Sequence, residues 1–139
     1  MFKNILLGVD GSEHALRAAK VAGELARELD ANLLIVACYE PLPSYLGEPY
    51  FQQALNERLE QAEQILRPAL EAVGENPGKL ESEKLEGPPA EAILSVAEAR
   101  NIDLIVMGTR GLSQLKGLFL GSQSHKVIIP APCPVLLVR

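Results

Sequence analysis

Three glycines and a serine carry the strongest chemical signal in this chain: Gly108, Gly111, Gly121 and Ser122. Leu104-Ile105-Val106-Met107 is a short apolar run rich in β-branched residues, and Gly108-Thr109-Arg110-Gly111 follows it at once. After nine intervening residues come Gly121 and Ser122, then a helix-compatible run from Gln123 to Ile129. Glycine lets the backbone take φ > 0 and lets amides approach an anion with no Cβ in the way. A helix start adds unpaired N–H groups and partial positive charge. The chemistry expected here is a grip on a phosphate chain, by backbone more than by side chains. Arg110 and Lys116 lie in the same segment and have two readings, as phosphate-screening cations or as solvated surface charge.

Asp10 is the second chemical signal. It is one of three aspartates and closes the apolar run Ile5-Leu6-Leu7-Gly8-Val9. At a strand end its carboxylate has three possible tasks: to accept hydrogen bonds from a ribose or base, to hold a metal ion, or simply to favour the dipole of the helix that follows. Ser122 and Ser124 are equally divided, since a serine before a helix is commonly its N-cap. Cys38 and Cys133 are far apart and form no Cys-x-x-Cys pair. With no paired thiol and no basic activator nearby, a catalytic or redox role for Cys38 is not expected. His14 and His125 show no metal-ligand spacing and read as surface residues.

The elements that must position these groups alternate in the order of a parallel α/β sheet. Strands are expected over Ile5–Val9, Leu33–Cys38, Lys79–Glu86, Asp103–Met107 and Val135–Val138. Helices are expected over Glu13–Leu29, Phe51–Val73, Ala90–Arg100 and the short run after Ser122. Ser12 suits an N-cap, and Ala15, Ala18, Ala22, Leu25 and Leu29 recur at helical spacing. Pro68 predicts a kink or break in the second helix. Residues 40–49 hold three of the ten prolines and form a connection long enough for a lid or binding edge. Strand three alternates charged and apolar residues as a half-exposed edge would.

The spacing Gly-x2-Gly-x9-Gly-Ser resembles the nucleotide-binding signature of the universal stress protein family, in its ATP-binding branch. Ile5-Leu6-Leu7-Gly8-Val9-Asp10-Gly11-Ser12 resembles that family's first strand and turn, and Pro132-Cys133-Pro134-Val135-Leu136-Leu137-Val138 its last strand. The resemblance spans residues 1–139 as one domain. It implies an α/β fold: an open, parallel, five-stranded, Rossmann-like sheet of order 3-2-1-4-5 with helices on both faces. Right-handed crossovers and an edge-like third strand lead to the same order. The winding then reverses between strands one and four, where open α/β sheets bind ligands.

The resemblance further implies ATP as ligand, with Mg²⁺ as a possible companion held at Asp10. Val9 and Asp10 would lie at the nucleotide, with Ala37 or Cys38 beside the adenine. Gly108, Gly111 and Gly121 would meet the phosphates, Ser122 would contact the triphosphate with Gln123 and Ser124 beside it, and Met107 and Arg110 would complete the set of cofactor-binding residues. Gln123 stands where small apolar residues are common in the family, so its longer polar side chain is expected to tune or crowd the phosphate end. The last strand, Val135–Val138, would pair with its counterpart in a homodimer, and its apolar character at an open edge invites association on physical grounds as well.

Composition limits the alternatives. At 139 residues and 47% hydrophobic, the chain suits a single core, and its net charge of −5 speaks against nucleic acid as main partner. Aromatic residues make up 4%, too few for base-stacking platforms. No apolar run approaches a membrane span. Two unpaired cysteines and no signal-peptide pattern lead to the expectation of a cytoplasmic setting. No Walker A sequence, Gly-x-Gly-x-x-Gly after strand one, or Gly-x-Ser-x-Gly elbow is present. Three functions remain open: an ATP-binding stress or regulatory dimer, a slow ATP hydrolase or phosphotransferase, and a dimeric interaction module that holds no nucleotide.

Overall fold

A computed structural model describes residues 1–110 and 122–139. Five strands, β1 (Asn4–Gly8), β2 (Asn32–Tyr39), β3 (Leu80–Glu86), β4 (Leu104–Gly108) and β5 (Val135–Val138), form one sheet of order β3-β2-β1-β4-β5. All four pairings are parallel. The expected order and the expected strand identities hold, with boundaries displaced by a residue or two.

Helices α1 (Glu13–Leu29) and α2 (Tyr50–Val73) cover one face, and α3 (Pro89–Ala99) and α4 (Ser122–Ile128) the other. The period of two along each strand divides the core accordingly. Ile5, Leu7, Leu33, Ile35 and Val106 face α1 and α2, while Leu6, Leu34, Val36 and Ile105 face α3 and α4. Both faces being covered, β1, β2 and β4 read as almost unbroken apolar runs.

Helix α1 sits close to its neighbours because its buried stripe is small: Ala15, Ala18, Ala19, Ala22, Gly23 and Ala26. At Gly23 an added Cβ would lie 2.3 Å from the carbonyl oxygen of Val73, so the crossing of α1 and α2 needs the missing side chain. Arg27 reinforces the crossing by donating to the carbonyls of Val73 (2.6 Å) and Glu75 (3.0 Å), which lie at and just beyond the end of α2.

Of the kink or break expected at Pro68, the break does not occur. Helix α2 runs through it, with Leu66 and Ala69 buried on either side. Proline removes one amide donor, but the packing of the flanking apolar residues keeps the helix continuous.

The two sheet edges differ in chemistry. On β3, Glu81 pairs with Lys79 at 2.8 Å and with Arg100 at 3.1 Å, Glu83 pairs with Arg100, and Lys84 with Glu63 at 3.1 Å. Lys79 and then Arg100 hold the Glu81 carboxyl below the usual carboxylate range. On β5 the four residues Val135–Val138 are apolar and only half-buried.

Candidate functional site

The chain winds outward from β1 to β3, then returns to place β4 on the other side of β1. A cleft of about 210 Å³ opens at that reversal, beyond the C-terminal ends of β1, β2 and β4. Its position is that of ligand sites in open α/β sheets. Val9, Asp10, Cys38, Met107, Gly108, Arg110, Ser122, Gln123 and Ser124 all line it. Nine of the candidate residues, dispersed from 9 to 124 in the chain, therefore share one wall. Gly111, Lys116 and Gly121 lie outside the described residues.

Ala37 does not line the cleft. It is buried in the core on the α1–α2 side, whereas Val36 and Cys38 reach the cleft. Alternation along β2 gives the reason, because adjacent side chains point to opposite faces. Val36, Cys38, Ile93 and Met107 are apolar wall residues on the α3–α4 side, and Val9, Ala15 and Ile65 on the α1–α2 side. Burial pushes the Cys38 thiol up to about 11, so it stays protonated and unreactive at neutral pH.

At the end of β1 the chain turns through Asp10, Gly11 and Ser12. Asp10 Oδ1 accepts from the Ser12 amide at 3.0 Å, and Gly11 takes φ 87°. This is an Asx turn, a local bond that short acidic side chains make readily. Ser12 then caps α1: its Oγ accepts from the Ala15 amide at 3.1 Å. The same hydroxyl reaches the Arg110 carbonyl at 3.5 Å, joining the two segments that close the cleft. Asp10 therefore has a structural task as well as a place on the wall. Among the described residues no group of three or more His, Cys, Asp or Glu side chains could hold a metal ion. A cation at Asp10 would take its remaining oxygens from phosphate and water, as Mg²⁺ commonly does.

Gly108 has a packing reason to be glycine. A Cβ there would lie 2.8 Å from His14 Cβ and 3.0 Å from the His14 carbonyl carbon. Gly8 mirrors it on the opposite sheet face, where a Cβ would meet Ile93 Cδ1 at 2.9 Å. The two glycines let α1 and α3 close in on the strand ends from opposite faces.

His14 is not the surface residue expected. It is half-buried, with Nδ1 2.9 Å from Thr109 Oγ1. His125 is exposed, as expected.

In α4, Ser122 is exposed on the rim, while Ser124 is buried and donates through Oγ to the Gly108 carbonyl at 2.7 Å. Gln123 turns toward α3, where its Oε1 accepts from the Ala90 amide at 3.2 Å.

Among the described wall residues Arg110 is the one cation and Asp10 the one carboxylate. The Arg110 Nε is buried and has no hydrogen-bond partner there. A buried guanidinium donor without an acceptor is uncommon, and a water or an anion in the cleft would satisfy it.

Sequence reading missed Gly8, Ser12 and Ala15 as wall residues, and Val36, Ile65, Pro89 and Ile93. Strand parity with Cys38 would have found Val36. Pro89 and Ile93 enter only because α3 packs beside β2 in space. The 40–49 connection, which carries a short 3-10 turn at Ser44–Leu46, contributes nothing to the cleft wall among the described residues. No helix among the described residues is long and apolar enough to cross a membrane.

Comparison with known proteins gives the lineage of this arrangement. The model of the universal stress protein family matches residues 1–139. The "Universal stress protein in QAH/OAS sulfhydrylase 3'region" of Thermus aquaticus is 55% identical over 139 residues, covering 100% of both chains. The solved universal stress protein UspA from Lactobacillus plantarum superposes with a TM-score of 0.85 at 28% identity, over 99% of this chain and 98% of that one. A universal stress protein solved in complex with cAMP superposes with a TM-score of 0.70 at 27% identity, over 99% of this chain and 97% of that one. With the family match over its whole length, and that fold and strand order, the chain belongs to the universal stress protein family.

Proposed function

We propose that the cleft binds an adenine nucleotide, with ATP as the physiological ligand, and that the protein is a nucleotide-gated regulator acting as a homodimer in the cytoplasm. The observation that carries the reading is Arg110, whose buried Nε lacks an acceptor among the described residues, on the wall of a cleft that also carries apolar residues. That combination suits a nucleotide: the base against Val36, Cys38, Ile93 and Met107, the ribose at Asp10, the phosphates toward Gly108, Arg110 and Ser122. The spacing of Gly111 and Gly121 supports a backbone cradle for the same phosphates. The cAMP complex of a 27% identical family member supports an adenine nucleotide as the ligand class. Mg²⁺ would join a triphosphate to Asp10.

Hydrolysis is not part of the proposal. Among the described wall residues Asp10 is the sole carboxylate, and the Ser12 amide occupies one of its oxygens. Phosphoryl transfer needs a positioned nucleophile and a base, and among the described wall residues Asp10 alone offers a carboxylate base. Turnover is expected to be slow or absent.

The test is calorimetric titration of folded, nucleotide-free protein with ATP and Mg²⁺, with AMP in parallel. Saturable ATP binding, with AMP weaker, is expected. Arg110→Gln should weaken ATP by about tenfold or more, the scale of a charge-assisted hydrogen bond. No binding of either nucleotide would overturn the reading in favour of a dimeric module without ligand. For the dimer, the apolar open edge of β5 is the supporting feature. Sedimentation at micromolar concentration should give about twice the 15.0 kDa chain mass, and a single 15.0 kDa species would remove that part.

A further inference from the structure

Gln123 combines two features that a residue of the α4 first turn does not need for packing alone. Its Oε1 accepts from the Ala90 amide at 3.2 Å, and it lines the cleft together with Pro89 and Ser122. The bond to Ala90 has a clear cause. Helix α3 begins Pro88-Pro89, neither of which has an N–H, and no side chain of the cap residue Pro88 serves the helix start. Ala90 is therefore the first amide of α3 that can donate, and it is buried. Gln123 supplies the missing acceptor from a different helix.

That bond also fixes the orientation of the carboxamide. An amide donor must face oxygen, so Oε1 is committed to α3 and Nε2 points away from it. Nε2 makes no hydrogen bond to any described residue. With Oε1 already accepting from the Ala90 amide, the carboxamide of this wall residue keeps its Nε2 donors for a ligand.

We infer that Gln123 is a specificity-determining residue of the cleft, donating through Nε2 to a phosphate oxygen of the bound nucleotide while Oε1 stays on Ala90. This rests on the nucleotide reading given above. The phosphate end is favoured over the base because the neighbours of Gln123 in the chain, Ser122 and Ser124, line the cleft beside Gly108, whose carbonyl accepts from Ser124. Of the two effects expected of the longer side chain, tuning or crowding, this donation is tuning, with the oxygen end held against α3.

Gln123→Glu separates the two tasks. A carboxylate still accepts from the Ala90 amide, and at a helix start its charge is favourable. It cannot donate, and it repels phosphate. Gln123→Met loses both tasks and serves as the control for folding. Melting temperature and affinities for ATP and for adenosine would be measured in all three proteins. The expected result for Gln123→Glu is an unchanged or raised melting temperature, ATP affinity at least about tenfold lower, and adenosine affinity within about twofold of wild type. Gln123→Met should melt lower than both. ATP affinity of Gln123→Glu within twofold of wild type overturns the inference, as does an equal loss for adenosine. Wild-type protein that binds no ATP overturns the nucleotide reading itself and this inference with it, an outcome distinct from the other two.

Discussion

His14 on α1 and Thr109, the first residue after β4, are joined by a 2.9 Å hydrogen bond between Nδ1 and Oγ1. The Thr109 amide donates in turn to the Val138 carbonyl on β5 at 2.9 Å. One residue at the entrance of the glycine-rich segment is thus anchored to a helix start and to the edge strand. Removing either side of the first bond, by His14→Ala or Thr109→Val, should lower stability by about 1 kcal/mol. The double mutant should lose less than the sum, with a coupling of about 0.5 kcal/mol or more. Urea unfolding of the four proteins measures this, and strict additivity would show the bond to be energetically idle.

Gly108→Ala should destabilise by about 1–3 kcal/mol, because its Cβ meets α1 at His14 and part of that contact is backbone. Gly8→Ala should cost less. Its Cβ meets the Cδ1 end of Ile93, a side chain that can turn aside. Thermal unfolding ranks the two, and the reverse order would show that α1 yields more readily than Ile93.

Gly23→Ala tests the helix crossing. Alanine favours a helix over glycine by about 1 kcal/mol. Here the new methyl would lie 2.3 Å from the Val73 carbonyl oxygen, so α1 and α2 must separate. A net loss of stability is expected, and a gain would mean that the crossing relaxes at little cost.

Cys38 gives a pH prediction. Its thiol is pushed up from 9.0 to about 11 by burial. Between those values the unfolded chain releases the proton and the folded chain keeps it. Folding stability therefore falls as pH rises through that window. At pH 8 the reduced thiolate fraction, partly offset by higher intrinsic nucleophilicity, should slow alkylation by about tenfold against the unfolded chain. Iodoacetamide labelling with mass spectrometry reads Cys38 and Cys133 separately. A Cys38 rate equal to that of unfolded protein would contradict its burial.

Much of the architecture was legible in the residues themselves. The alternation of apolar runs and helical stripes is local information, set by the two backbone periods, so element order and the spans Glu13–Leu29 and Val135–Val138 could be read directly. Strand order followed from the handedness of crossovers and the charged pattern of β3. Asp10 and Gly108 were recognisable as candidate site residues because each directly follows or ends an apolar run.

Side-chain partners were not legible, since they depend on which elements meet. Nothing local distinguishes His14 from a surface histidine. Its bond to Thr109 exists because α1 packs on β4, a contact between residues 95 apart in sequence. The choice between Ala37 and Cys38 was likewise decided by which face of β2 turns toward α3. Gln123 reads as an exposed helix residue until α3 presents an amide with no acceptor of its own. The sequence by itself determined the elements, their order and the end of the sheet where a ligand would sit, because these follow from backbone periodicity and chirality. Only the tertiary structure decided which atoms stand free on the cleft wall. Helices closing over strand ends occupy some polar groups, Asp10 Oδ1 and Gln123 Oε1 among them, and leave Arg110 Nε without an acceptor among the described residues.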